Sequence, residues 1–179
     1  GSQSALCYLT AELVKLGHEV SVFRGTQGPS VSAGVIFLPQ ADAEDPGALN
    51  SFDAVISLNA VQGRAFRDTL GVTVPLLLWL HHAVIVPAAQ RLRGPREQSA
   101  WDGIAFVSAS QRAPYLEEFG IDPARTVVMH NGVSPAFEMP ICPLKAPPVL
   151  FYTSTPYRGL DVLLAAFPVI RAATGAKLR

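Results

Sequence analysis

Leu76-Leu77-Leu78-Trp79-Leu80 is five apolar residues in a row, with Pro75 before it and His81-His82 after it. A strand with one wet face alternates apolar and polar side chains. An unbroken apolar run of strand length therefore predicts a parallel strand buried on both faces. Similar short runs at 20–23, 31–38, 52–58, 103–107 and 126–130 predict further strands. Helical spacing lies between them. Ala5, Leu6, Leu9, Leu13 and Leu16 recur at steps of three and four, and Gly17 stands where a helix ends. A short helix over 61–70 is closed by Gly71. Ser108 or Ser110 caps another that runs to Phe119 and stops at Gly120. The acidic, polar stretch 41–50 reads as loop. Strands alternating with short helices predict an α/β fold, a Rossmann-like parallel sheet with helices on both faces.

Composition removes several classes of function. Charged residues are 16% of the 179, split evenly into 14 basic and 14 acidic, so the chain has no electrostatic footprint for nucleic acid. With 49% apolar residues it is too hydrophobic for intrinsic disorder. Two cysteines, Cys7 and Cys142, cannot staple a disulfide scaffold. The longest apolar stretch, 74–87, is interrupted by Pro75, His81 and His82 and falls short of a membrane span. Gly1-Ser2-Gln3-Ser4 has no basic start and no long apolar segment behind it, so it does not read as a signal peptide. These features predict a cytoplasmic protein with no integral membrane segment, and they leave peripheral membrane association open.

The segment 139–148 holds four prolines in ten residues, the mark of a stiff extended linker. The expected organisation is a first domain over 1–138, a linker over 139–148, and a second domain opening at 149–179. That opening is a strand at 149–153, a helix over 159–174 and a strand beginning at Lys177. Pro168 inside the helix implies a kink or restart, or a cost of about 3 kcal/mol. The first sheet has no strand ahead of its first helix, and only one strand–helix unit follows the linker. On this reading the chain is a fragment, inactive by itself.

Four places concentrate useful chemistry. Gly1-Ser2-Gln3-Ser4 opens a helix, whose free N–H groups can cradle an anion or a sugar hydroxyl, or simply form a turn. His81 and His82 follow a buried strand, and ligands of open α/β sheets sit outside the carboxyl ends of strands. A histidine there can meet a phosphate or hydroxyl near neutral pH, or bond to backbone. Zinc is a weaker reading, because no Cys or carboxylate lies at ligand spacing. His130-Asn131-Gly132 closes a strand and reads first as a turn. Finally, Ser154-Thr155-Pro156-Tyr157-Arg158-Gly159 places hydroxyls, a guanidinium and a helix start together. That suits a diphosphate, or a capped helix with a solvated arginine.

The ordered set resembles one family. It comprises Leu16-Gly17-His18-Glu19-Val20, Trp79-Leu80-His81, Phe106-Val107-Ser108-Ala109-Ser110-Gln111-Arg112 and Val128-Met129-His130-Asn131-Gly132-Val133. The proline segment and Ser154-Thr155-Pro156-Tyr157-Arg158-Gly159-Leu160-Asp161 complete it. It is similar to GT-B glycosyltransferases of the family 4 type (glycosyl transferases group 1). The resemblance implies two Rossmann-like domains facing across a cleft, with the acceptor on the first and a nucleotide-sugar, UDP- or GDP-linked, on the second. It implies a catalytic role for His81, in contact with the donor sugar or phosphate. Gly1, Ser2, Ser154, Arg158 and Gly159 would contact donor phosphates. Ser110, Asn131 and Gly132 become cleft or structural positions. So does His82, which stands where related sequences often carry an acidic residue. Many relatives use an Arg and a Lys, spaced further apart, where this chain has Arg158. No metal is implied, since no Asp-x-Asp site is visible. The expected partners are the nucleotide-sugar and a saccharide, lipid or other hydroxyl acceptor, without nucleic acid. The expected reaction is sugar transfer with retained configuration. The alternatives are a non-catalytic sugar- or nucleotide-binding module and a GT-B-type nucleotide-sugar epimerase.

Overall fold

A computed structural model of the chain describes residues 1–133, 146–154 and 156–179. The chain divides into two compact units, Gly1–Ser134 and Pro135–Arg179. Most of the expected linker lies outside the described residues.

The first unit opens on α1 (Ser2–Lys15), followed by β1 (Ser21–Arg24), β2 (Ser30–Ser32) and β3 (Val35–Pro39). Gly17 takes φ +93 just past α1, the left-handed conformation that lets the chain leave the helix without a Cβ clash. The expected single strand over 31–38 is instead a hairpin. Ala33 and Gly34 both adopt positive φ and turn β2 back antiparallel onto β3, with Val31 opposite Ile36. Paired positive-φ residues form the tight turn whose twist matches a hairpin. The apolar run concealed that turn, because only Gly34 within it is a turn residue. The expected loop over 41–50 contains two 3₁₀ turns, Gln40–Ala43 and Ala48–Ser51.

Four parallel strands follow: β4 (Val55–Leu58), β5 (Leu76–Leu80), β6 (Gly103–Phe106) and β7 (Thr126–Val128), in that spatial order. Their register places Leu58 beside Trp79, Leu80 beside Phe106 and Phe106 beside Val128. The first unit therefore holds two sheets where one was expected. β1 pairs only with β3, and no backbone hydrogen bond joins β1 to β4 among the described residues.

Leu76, Leu78, Leu80, Ile104 and Phe106 form one buried face of the parallel sheet, packed with Val61, Leu92, Trp101, Tyr115 and Phe119. Phe106, Tyr115 and Phe119 stack in tilted and edge-on pairs at 5.0 and 5.5 Å. The opposite face is covered only in part: Trp79 on it is buried, and its other apolar residues are not. Ile56 is 47% exposed, Leu77 36% and Val127 57%. An apolar run reports a strand's composition, and burial of both its faces also needs elements packed on both sides.

The helix expected over 61–70 is a helical start at Gly63–Arg64 that widens into a π-helical turn, Ala65–Thr69. The Leu70 amide donates five residues back to Ala65, and the chain exits through Gly71 at φ +64. Arg67 holds this turn to the sheet. Its guanidinium donates to the carbonyls of Val72, Val74 and Ala100 and pairs with Asp102. Next come a 3₁₀ turn (Ala89–Arg93) and α2 (Pro95–Ser99). α3 (Ala109–Phe119) is capped by Ser108, whose Oγ accepts from the Gln111 amide at 3.0 Å. Gly120 ends α3 in the left-handed conformation, as its sequence position predicts.

The second unit holds β8 (Val149–Leu150), a 3₁₀ turn (Pro156–Arg158), α4 (Leu160–Thr174) and β9 (Lys177–Leu178). β8 is shorter than the strand expected over 149–153 and pairs in parallel with β9. α4 runs through Pro168 without restarting. No helix among the described residues is long and apolar enough to cross a membrane.

Candidate functional site

Parallel strands end at one edge of their sheet, so the residues that follow β4, β5, β6 and β7 share a neighbourhood. Those residues are Asn59, His81, Val107–Ser108 and His130–Asn131. Side-chain bonds then fix their positions. Asn59 adopts positive φ, +61, and its amide donates to the Trp79 carbonyl at 2.9 Å. This turns Asn59 Oδ1 onto the His81 backbone N–H at 2.7 Å. His81 Nε2 lies 3.0 Å from Asn131 Oδ1. Because a carbonyl oxygen only accepts, this pairing places the ring proton on Nε2. His81 and Asn131, the histidine and the turn asparagine singled out in the sequence, are thus brought together across fifty residues.

The floor under His81 is equally built. Gln111 donates through Nε2 to the carbonyls of Leu80 and His82, at 3.2 and 2.8 Å. Its Oε1 accepts from the Val107 amide at 2.8 Å. Tyr115 donates its hydroxyl proton to the His82 carbonyl at 3.1 Å, and burial pushes its phenol up to about 12, so it stays a donor. His82 therefore serves through its backbone oxygen. The Trp79 and His81 rings lie 4.6 Å apart. Trp79 Nε1, His81 Nδ1 and His82 Nδ1 are buried without a hydrogen-bond partner among the described residues.

His81 is held below the ordinary imidazole value, chiefly by desolvation and further by His82 and the amino terminus. The bond to Asn131 works the other way. A depressed folded value makes neutral His81 the stable form at pH 7. Its stabilising contribution is complete above about pH 6.5 and is lost as pH falls through the folded value. Asn131→Ala should lower the His81 value further, read by NMR titration of the ring. A rise would show that the bond does not act as drawn.

Gly1 is the N-cap of α1 with no side-chain cap, and Ser2 begins the helix. Ser110 Oγ lies 2.9 Å from Ser108 Oγ, in the cap of α3. Gly132 is exposed beyond β7. In the second unit, Arg158 ends the 3₁₀ turn, Gly159 caps α4 at φ +102, and Ser154 is exposed. Thr155 lies outside the described residues. Among the described residues no group of three or more His, Cys, Asp or Glu could hold a metal ion.

Asn59, Gln111 and Trp79 were not singled out as site residues from sequence. Asn59 carries a readable signal, since asparagine directly after a strand tolerates the left-handed region. Gln111 carries none, because its three bonds depend on where β5 and β6 end. Compared with known proteins, the chain matches no family model and no curated relative.

Proposed function

We propose that this chain belongs to an enzyme that transfers a sugar from a nucleoside-diphosphate donor, UDP- or GDP-linked, to an acceptor hydroxyl. The observation that supports this best is the cluster at the carboxyl edge of β4–β7. There Asn59 fixes the His81 backbone, Gln111 and Tyr115 brace the segment after it, and Asn131 orients the ring.

The chemistry needs little else. The bond from the sugar C1 to the diphosphate oxygen breaks through an oxocarbenium-like state, and its electron pair leaves on the diphosphate. The acceptor oxygen takes its place at C1, and the acceptor proton leaves with the diphosphate. Neutral His81 presents Nε2–H on the side of exposed Asn131, where a donor oxygen can share it. In the second unit, Arg158 and the amide groups opening α4 stabilise the charge that builds on the leaving group. Gly1, Ser2 and Ser154 take donor-phosphate roles, and no metal enters the scheme.

Arg158→Ala, tested in the protein carried in its full reading frame, should lower kcat/KM for a UDP- or GDP-sugar by about 10²–10³-fold. Arg158→Lys should recover part of the loss, since it restores charge without the planar fork. Unchanged kinetics in both variants would remove Arg158 from the mechanism.

A further inference from the structure

The segment after β4 and the turn from Arg91 to Glu97 enclose an open groove of about 850 Å³. Its wall carries Arg64, Arg91 and Arg96, with Gln62 beside them. A chain of zero net charge thus places three arginines along one hollow. A second hollow of about 460 Å³ shares Arg64 and Arg96 with it.

The single acid in the groove wall is already engaged. Glu97 is 8% exposed, and its carboxylate accepts from the Gly63 amide at 2.5 Å, the Arg64 amide at 3.2 Å and Trp101 Nε1 at 3.1 Å. The arginines are engaged far less. Arg64 makes an exposed pair with Asp68 at 3.2 Å, and the Arg91 guanidinium donates to the Val61 carbonyl at 3.4 Å. The Arg96 guanidinium has no hydrogen bond or ion pair among the described residues, its carbonyl alone accepting from Ser99 Oγ, and all three arginines are exposed. Guanidinium groups with donors to spare around one concave site suit a phosphate, whose oxygens take their forks in pairs. The groove also adjoins the site. Along the chain, Gln62 in its wall comes three residues after Asn59, which holds His81.

We propose that this groove binds a phosphate group carried on the acceptor, so that the acceptor of the proposed sugar transfer is a phosphorylated molecule. The anion site stands on the groove alone, while the identity of its ligand rests on the transferase reading.

Inorganic phosphate, titrated into the ¹⁵N-labelled chain at constant ionic strength, tests the site. The expected result is saturable shifts centred on the amides of Gly63, Arg64, Gly94 and Glu97. Binding should weaken about tenfold or more in the double variant Arg91→Gln/Arg96→Gln, and should not change in Arg171→Gln on α4. Shifts that do not saturate, that scatter over the surface, or that weaken equally in Arg171→Gln would overturn the proposal. Should the double variant fail to fold, the footprint on the unaltered chain decides alone. The acceptor arm compares transfer to a phosphorylated hydroxyl compound with transfer to its dephosphorylated form. Preference for the first, lost in the double variant, is expected. Transfer that ignores the phosphate overturns this proposal and leaves the transferase reading intact. Phosphate binding in a protein that turns over no nucleotide-sugar overturns the acceptor assignment through the transferase reading and leaves the anion site standing.

Discussion

Glu97→Ala should lower the free energy of unfolding by about 3–5 kcal/mol, measured by urea denaturation at pH 7. Three donors lose their acceptor at once: the amides of Gly63 and Arg64 and the indole of Trp101. Each buried unsatisfied group costs about 1–3 kcal/mol, and bonds to a charged acceptor lie at the strong end. The values do not add fully, because the three donors share one carboxylate. Burial makes the loss harder to repair. Trp101 is fully buried, and a Cβ added at Gly63 would lie 2.7 Å from its ring, so little room exists for water to replace the carboxylate. Glu97→Gln keeps one acceptor oxygen and should cost roughly half as much. A loss below about 1 kcal/mol in Glu97→Ala would mean that the carboxylate does not hold the turn to α2.

His81→Ala should reduce sugar transfer by about 10²–10³-fold, a barrier change of about 2.7–4 kcal/mol. The ring is aligned before any ligand arrives. Asn59 fixes its backbone, Asn131 fixes its proton on Nε2, and Gln111 and Tyr115 brace the segment from Leu80 to His82. Most of the loss should therefore appear in kcat. His81→Gln restores an N–H donor near Nε2 and should recover part of the rate. It should also flatten the acid side of the pH profile, because glutamine does not titrate below pH 6.5 as the imidazole does. Recovery without the change in profile would show that the ring acts by shape alone.

Much of the first unit was legible in the sequence because its signals are local. Gly17, Ser108 and Gly120 mark helix ends through their own conformational preferences, and the structure uses them in that way. The apolar runs marked β5 and β6 for a similar reason. What depended on distant contacts was harder to read. The hairpin at Ala33–Gly34 was hidden inside a run of apolar residues. The wide turn at Ala65–Thr69 owes its place to Arg67 and Glu97, residues that look like ordinary surface charges in sequence. The separation of the sheet at β1 and β4 follows from pairing, which periodicity does not specify.

The site divides along the same line. His81 was visible because it ends an apolar strand, and Asn131 because it opens a turn. That the two side chains meet at 3.0 Å follows from β5 and β7 both ending at one edge with β6 between them. Asn59 and the arginine groove depend on contacts between segments distant in sequence. Gln62, Arg64, Arg91 and Arg96 are spread over thirty-five positions and come together where Glu97 ties the turn after β4 to α2.

The most direct test of the account is nucleoside diphosphate release. The protein in its full reading frame is supplied with UDP- and GDP-sugars and a hydroxyl acceptor, and release is followed with and without that acceptor. The account predicts release from one of the two donor classes, stimulated by acceptor, matched by glycosylated product and lost in His81→Ala. Absence of release from every donor, or release that persists unchanged in His81→Ala, would contradict it.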